Sequence, residues 1–128
     1  MDGIGPAVAL RFERAGISTT ADLLERCRDL AGRREVAAET KLRQARLLKW
    51  VNMADLMRIS GVGGEYAELL EAAGVNTVKD LRRRNAENLT TKIRVTNERL
   101  KRIRVPPTEK MVANWVEQAK TLPLYVTY

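Results

Sequence analysis

Apolar residues recur along this chain three or four positions apart, which is the spacing of one face of an α-helix. Between residues 64 and 73 the spacing predicts a helix with Ala67, Leu70 and Ala73 on its apolar side. A shorter helix is predicted over residues 54–59, just before it. No segment shows a convincing strand alternation. The pattern therefore predicts an all-α fold.

Two further helices are predicted nearer the end of the chain. One covers about 89–104, and its apolar stripe is formed by Leu89, Ile93, Leu100 and Ile103. Pro106 and Pro107 cannot continue a helix, so it is predicted to stop there, and Thr108 can cap the next one. The buried face of that last helix is predicted to be Met111, Val112, Trp115, Val116, Ala119 and Leu122. Residues 124–128 are expected to be at most a short extended tail.

An internal duplication organises the chain. Residues 3–23 align with residues 61–81 without a gap, and nine of the 21 positions are identical. The identical pairs are Gly3/Gly61, Gly5/Gly63, Ala9/Ala67, Glu13/Glu71, Ala15/Ala73, Gly16/Gly74, Thr19/Thr77, Asp22/Asp80 and Leu23/Leu81. Matched glycines imply matched turns, so we predict a compact tandem repeat. Its copies are residues 1–58 and 59–128, packed as one globular unit.

The duplicated residues are of the kind that begin and end helices. Gly61 is suited to the left-handed turn that closes a helix, and Gly63 is suited to cap the start of the next one. The spacing of Thr19 with Asp22, and of Thr77 with Asp80, predicts a capping box in each copy.

The turns Gly3-Ile4-Gly5 and Gly61-Val62-Gly63, each followed four residues on by alanine, resemble the helix-hairpin-helix family. The continuations "AGISTTADL" and "AGVNTVKDL" are similar to tandem helix-hairpin-helix domains of DNA repair, recombination and transcription proteins. With "WVNMADLMRISGVG" and "LPLYVTY" included, nearly the whole chain closely resembles an uncharacterised domain-of-unknown-function family of such repeats. That family is sometimes described as related to the helix-three-turn-helix region of flap endonucleases.

The resemblance implies that backbone N–H groups of Gly61, Val62, Gly63 and Gly64 hold one DNA phosphate, and those of Gly3, Ile4 and Gly5 less completely. Two residues depart from that pattern. Pro6 removes a donor in the first copy, and Glu65 places a carboxylate in the first helical turn of the second. A carboxylate about 4 Å from a phosphate costs ~1 kcal/mol in water and ~4 kcal/mol at an intermediate dielectric. The alternative is a glycine turn that only lets two helices pack closely.

Basic charge is concentrated in one part of the sequence. The net charge of the chain is +7. Residues 79–104 carry ten basic and three acidic groups, so the net charge of this segment equals that of the whole chain. A concentrated cationic surface favours a polyanionic partner. The predicted DNA-binding residues are Gly61, Gly63, Gly64, Arg82, Arg83, Arg84, Arg99, Lys101, Arg102 and Arg104. The alternative for the basic residues is a solvated helical face that provides solubility.

Composition argues against catalysis. The chain has no histidine, and Cys27 is its only cysteine, so no Ser-His or Cys-His nucleophile can form. The acidic residues are scattered, whereas two-metal nucleases cluster their carboxylates. We expect no enzyme activity, no metal and no cofactor. Without a membrane-spanning segment or a secretory signal pattern, the cytoplasm is the expected location.

The sequence thus predicts a non-catalytic helix-hairpin-helix module that binds double-stranded or branched DNA without sequence preference. The alternative is a protein-interaction or scaffold domain. Two features support this alternative: the second hairpin is acidic, and the first hairpin lacks its leading helix. The missing helix would leave Ile4, Val8 and Phe12 exposed to a protein partner or a second copy. Truncation of a longer protein is the other explanation of that start.

Overall fold

The computed structural model describes residues 4–128 of the chain, and within that range it contains eight α-helices and no strand. The helices are α1 (Pro6–Arg14), α2 (Thr20–Cys27), α3 (Leu30–Thr40), α4 (Gln44–Leu56), α5 (Gly64–Ala72), α6 (Val78–Leu81), α7 (Ala86–Leu100) and α8 (Glu109–Thr121). The predicted all-α class is confirmed. No helix in this range is long and apolar enough to cross a membrane.

The chain divides into two compact units. Unit 1 comprises the chain up to Asp55 together with Tyr125–Tyr128, and unit 2 is Leu56–Leu124. The two copies were expected to meet between residues 58 and 59. The division instead falls three residues earlier and assigns the last four residues to unit 1.

Unit 1 has a continuous hydrophobic core that includes the residues expected to be exposed. Phe12 is completely buried and Val8 nearly so. The Phe12 ring meets Trp50 of α4 edge-on, with 5.8 Å between ring centroids. Ile4 is half-buried against the same core. The predicted exposure of this apolar face is wrong because α3 and Trp50 of α4 pack against α1 within the same unit.

Local chemistry sets the helix ends of unit 1 as the sequence indicates. Gly16 adopts the left-handed conformation after α1, with φ of 82°. Thr19 and Asp22 form the predicted capping box at the start of α2. Gly5 precedes α1 and Pro6 is its first residue. Gly3 lies outside the described residues, so the first predicted turn is seen only from Ile4 onward.

The last residues of the chain, Tyr125–Tyr128, form no helix and pack on unit 1. The Thr127 N–H donates to the carbonyl of Arg28 at 2.7 Å. The Tyr128 hydroxyl donates to Asn52 Oδ1 on α4 at 2.9 Å. These bonds attach the tail to α4 and to the residue that caps the end of α2.

Unit 2 contains α5 to α8, in which α7 packs on α5 and α8, and α6 packs on α8. The predicted capping box of Thr77 and Asp80 is present at α6. Thr108 caps α8, accepting from the Met111 N–H at 3.2 Å. Of the predicted buried face of α8, four residues are buried: Val112, Trp115, Val116 and Ala119. Met111 and Leu122 are half-buried.

Two predicted helix boundaries are wrong. No separate helix covers 54–59, because α4 continues to Leu56 and the chain then turns, with the Ile59 N–H donating to the Leu56 carbonyl. The basic helix α7 also ends earlier than the prolines require, at Leu100 rather than near residue 104.

The early end of α7 has a specific cause in the side chain of Asn97. Its Oδ1 accepts from the Ile103 N–H at 2.9 Å, and its Nδ2 donates to the Ile103 carbonyl at 2.8 Å. Lys101 takes a left-handed conformation between them, with φ of 53°. Leu100 is therefore 38% exposed instead of lying on the predicted apolar stripe.

Candidate nucleic-acid interface

The glycine turn of unit 2 has the predicted backbone geometry. Gly61 is left-handed, with φ of 96°, and Gly63 is the N-cap of α5. Gly64 is the first residue of that helix. The N–H of Val62 donates to the carbonyl of Ile59 at 3.1 Å. Val62 therefore cannot offer its N–H to a phosphate while the turn keeps this conformation.

Helix α8 holds the turn from behind. The Ser60 N–H donates to Gln118 Oε1 at 2.9 Å, and Gln118 Nε2 donates back to the Ser60 carbonyl at 3.1 Å. The buried indole of Trp115 stacks at an angle on Tyr66, with 5.1 Å between centroids. Its Nε1 lies 3.3 Å from where a side chain at Gly61 would begin. The glycine thus allows close contact between the turn and a buried tryptophan.

A cleft of about 360 Å³ opens beside this turn, lined by Ser60, Gly61, Lys110, Met111, Asn114 and Trp115. Lys110, in the first turn of α8, is the only basic residue in that lining. Sequence reasoning missed it, because Lys110 lies far from the turn along the chain and forms no charge cluster. Packing of α8 against the turn brings it there.

One of the two acidic residues at the start of α5 pairs with the basic segment that follows α7. Glu65 occupies the first turn of α5 and is exposed. Glu68, one turn on, pairs with Arg102, whose Nη1 is 2.7 Å from Glu68 Oε2. Arg102 is therefore partly neutralised by a residue of the hairpin itself, which lowers its value as a phosphate ligand.

Arg82 is also engaged within unit 2. Its Nη2 donates to the carbonyl of Lys120 at 2.9 Å, near the end of α8. Terminal helix carbonyls lack an intrahelical partner, and a guanidinium there stabilises the helix end. We assign Arg82 this structural contact in addition to its predicted place in the interface.

The remaining predicted cations lie at the two ends of α7. Arg83 and Arg84 precede it, Arg99 is in its last turn, and Lys101 and Arg104 follow it. Within the part of the chain that the structure describes, none of these five side chains forms an ion pair. At 1.5 Å per residue, the two groups are separated by about 20 Å. They form a line of charge rather than one compact patch.

Helical geometry decides which residues of α7 join that line. Lys92 and Arg99 are seven residues apart, so they lie on the same edge, about 20° apart around the axis. Arg94 lies about 140° away from Arg99, on the opposite edge. It is four residues before Glu98, which is about 40° from it. Lys92 was not among the predicted DNA-binding residues, but it lies on the same edge of α7 as Arg99. Arg94 does not lie on that edge.

The exposed centre of α7 between these edges is not cationic. Val95 is 60% exposed there. The Lys92 amine leans toward the turn after α5, 3.4 Å from the position of a side chain at Gly74. The face thus carries no basic residue at its centre, where Val95 and Glu98 are exposed, and has two basic residues along one side.

Groups with catalytic potential are sparse in the described range. Between residues 4 and 128 there is no group of three His, Cys, Asp or Glu residues that could hold a metal ion. Cys27 is buried, and loss of hydration raises the pKa of its thiol to about 11. A neutral, enclosed thiol is a poor nucleophile.

No curated protein and no solved structure matches the chain significantly. One family model matches residues 2–122, under the description "Domain of unknown function (DUF4332)". Because the match spans nearly the whole sequence, the chain belongs to the DUF4332 family of domains of unknown function.

Proposed function

We propose that this protein is a non-catalytic module that binds double-stranded or branched DNA without reading its sequence, through phosphate contacts along α7. The observation that carries the proposal is the line of cations spaced along α7, none of which forms an ion pair within residues 4–128: Arg83, Arg84, Lys92, Arg99 and Lys101. A duplex presents one phosphate per 3.4 Å of axis on each strand, so about 20 Å of helix spans about six of them. A line matches such a ladder better than a compact patch does.

The features beside this line agree with backbone contact rather than base readout. Val95 lies between the basic edge and Arg94, and no cluster of amide side chains stands on the exposed face of α7 for hydrogen bonding to base edges. Contacts to phosphates position a protein on a duplex and carry no sequence information by themselves. The affinity is therefore expected to be similar for unrelated duplexes and to fall steeply with salt.

The test is a fluorescence-anisotropy titration of two unrelated duplexes of equal length and one branched DNA, over a series of salt concentrations. The variant is Lys92→Ser/Arg99→Ser, because these residues share one edge and neither forms an ion pair in the described range. If each contacts a phosphate, the slope of log affinity against log salt becomes shallower by about 1.8.

The matched control is Arg94→Ser/Lys120→Ser, which removes the same charge from other parts of unit 2. Lys120 pairs with Glu117 at 2.9 Å, and Arg94 lies on the opposite edge of α7. The control should keep the wild-type slope. Equal losses in both double variants would show that net charge alone attracts DNA, and the line along α7 would then have no special role.

We also propose that the Ile59–Gly64 turn is a helix-hairpin-helix turn and that the two units descend from one duplicated copy. The recurrence of a left-handed glycine and a capping box at equivalent positions, Gly16 with Thr19 and Gly74 with Thr77, supports the duplication. Kinship with the helix-three-turn-helix region of flap endonucleases belongs to the same proposal.

In this proposal the first role of Gly61 is the close contact between the turn and Trp115 of α8, and phosphate contact by Gly61, Gly63 and Gly64 is secondary. The cleft beside Gly61 adds Lys110, a positive charge that a phosphate at the turn could meet. Lys110→Ser should therefore weaken DNA binding if the turn takes part, and should leave it unchanged if DNA contacts only α7.

The other candidate is a protein-interaction or scaffold domain. Burial of Phe12 removes the first hairpin as its docking surface. Exposed apolar surface near the end of α7 favours this second function, since Val95 is 60% and Val105 is 71% exposed. This function predicts self-association, measured by sedimentation velocity, that the double variant Val95→Ser/Val105→Ser abolishes. It also predicts that the protein has no salt-dependent affinity for DNA.

A further inference from the structure

Unit 1 contains a cleft of about 210 Å³ that the proposed DNA contacts do not use. It is lined by Leu30, Arg33, Gln44, Ala45, Leu48 and Tyr128. Four of these side chains are largely apolar and two are polar, which is the composition of a small-molecule site with a few orienting groups.

Arg33 is the unusual residue of this cleft. It is only 4% exposed, and its Nη1 donates to the carbonyl of Cys27 at 3.0 Å. No carboxylate pairs with it among residues 4–128. A guanidinium has five N–H donors, and a buried arginine is normally paired with an anion. The cation is therefore held at the wall of a cleft with most of its donors unused.

A second source of positive potential faces the same cleft. Gln44 and Ala45 are the first two residues of α4, a helix of 13 residues. The first N–H groups of a helix have no intrahelical partner, and α4 has no acidic residue in its first turn. This differs from α5, where Glu65 occupies the corresponding turn. An anion in the cleft would meet both the helix start and Arg33.

The apolar wall of the cleft is held in place by the chain's last residues. The Tyr128 ring lies 5.6 Å from the Arg33 guanidinium carbon, and the Tyr128 hydroxyl is bound to Asn52. Thr127 is bound to Arg28 through its backbone. The ring is thus fixed between α3 and α4 as a flat surface beside the cation.

We propose that this cleft binds a small organic monocarboxylate with an apolar body. The planar fork of Arg33 matches a carboxylate bidentately, and the N–H groups of Gln44 and Ala45 at the start of α4 would donate to the same oxygens. Leu30, Leu48 and Tyr128 would enclose the apolar part. A dianion fits less well, because Arg33 is the only basic residue in the lining.

The test uses benzoate as the probe, with benzyl alcohol as its neutral analogue and inorganic phosphate as an anion without an apolar body. Amide shifts of Gln44 and Ala45 are followed by ¹H–¹⁵N NMR on the full chain. Saturable shifts with benzoate, and much weaker ones with the other two compounds, are expected. Equal binding of benzyl alcohol or of phosphate would overturn the proposal, as would the absence of saturable shifts.

The decisive variant is Gln44→Glu, which places a negative charge in the cleft and in the first turn of α4. Acidic residues at that position favour the helix, so the fold is retained while benzoate binding falls at least tenfold. The matched control Ala38→Glu adds the same charge to α3 at an exposed position about 140° around the axis from Arg33, and should keep the affinity. Undiminished binding to Gln44→Glu would show that the carboxylate lies elsewhere.

Discussion

Substitution of Gly61 by alanine tests whether the glycine turn of unit 2 exists for packing. Gly61 has φ of 96°, where an alanine is strained by ~1–2 kcal/mol. The new Cβ would also lie 3.3 Å from Trp115 Nε1. Trp115 is 2% exposed and packs on Tyr66, so its ring cannot turn away freely. Displacing it from its rotamer adds ~0.5–1.5 kcal/mol.

Gly74→Ala is a closely matched comparison within the same unit. Its φ of 95° is nearly identical, so the backbone strain is the same. The nearest atom to its new Cβ is the Lys92 amine at 3.4 Å, the movable end of an exposed side chain. Both substitutions also restrict the unfolded chain equally, by ~0.4–1 kcal/mol. The difference between them therefore isolates the contact with Trp115.

The assay is urea unfolding followed by circular dichroism and by tryptophan fluorescence. Gly61→Ala should lower the free energy of unfolding by ~0.5–1.5 kcal/mol more than Gly74→Ala does. Gly5→Ala, where φ is −66° and no atom lies within 4 Å of the new Cβ, should cost less than either. If Gly61→Ala were no more costly than Gly74→Ala, the close approach of the turn to Trp115 would not be what requires glycine.

Two further predictions concern unit 1. Hydrogen bonds from the Ser18 N–H, then from the Thr19 side chain and N–H, hold the pKa of Asp22 below its ordinary value of 3.8. The ionised Asp22 therefore stabilises the folded protein above that pH, and this stabilisation is lost as the pH falls through the folded-state pKa. Asp22→Asn should lower the free energy of unfolding at neutral pH but not in strong acid, and a pH-independent loss would contradict this. Burial raises the pKa of Cys27 to about 11, so its thiol should resist alkylation near pH 8 until urea unfolds the chain. Fast labelling of the folded protein would contradict this burial.

Local rules predicted much of this fold because they depend on neighbouring residues. Both capping boxes form as the Thr-to-Asp spacing indicates, since a threonine hydroxyl and the N–H three residues on are always within reach at a helix start. Gly61 adopts the predicted left-handed conformation because glycine has no Cβ that would be strained there. The end of α7 was mispredicted because Asn97 binds Ile103 across a turn that no periodic pattern describes.

The candidate interface was less predictable because it depends on partners that are distant along the chain. The sequence marks Arg82 and Arg102 as members of basic clusters. Tertiary structure alone shows that Arg82 binds the Lys120 carbonyl and that Arg102 pairs with Glu68. In the same way Lys110 reaches the cleft beside Gly61 only because α8 packs behind that turn.

The sequence by itself therefore determined the helical class, the left-handed glycines, the capping boxes and the excess of basic charge in residues 79–104. Each of these follows from interactions over a few residues or from composition. The tertiary structure decided that Arg102 pairs with Glu68, that Lys110 reaches the cleft beside Gly61 and that Phe12 is covered by Trp50. Those outcomes depend on how helices far apart in the chain pack together, and hydrophobic periodicity defines the face that a helix buries without specifying its neighbour.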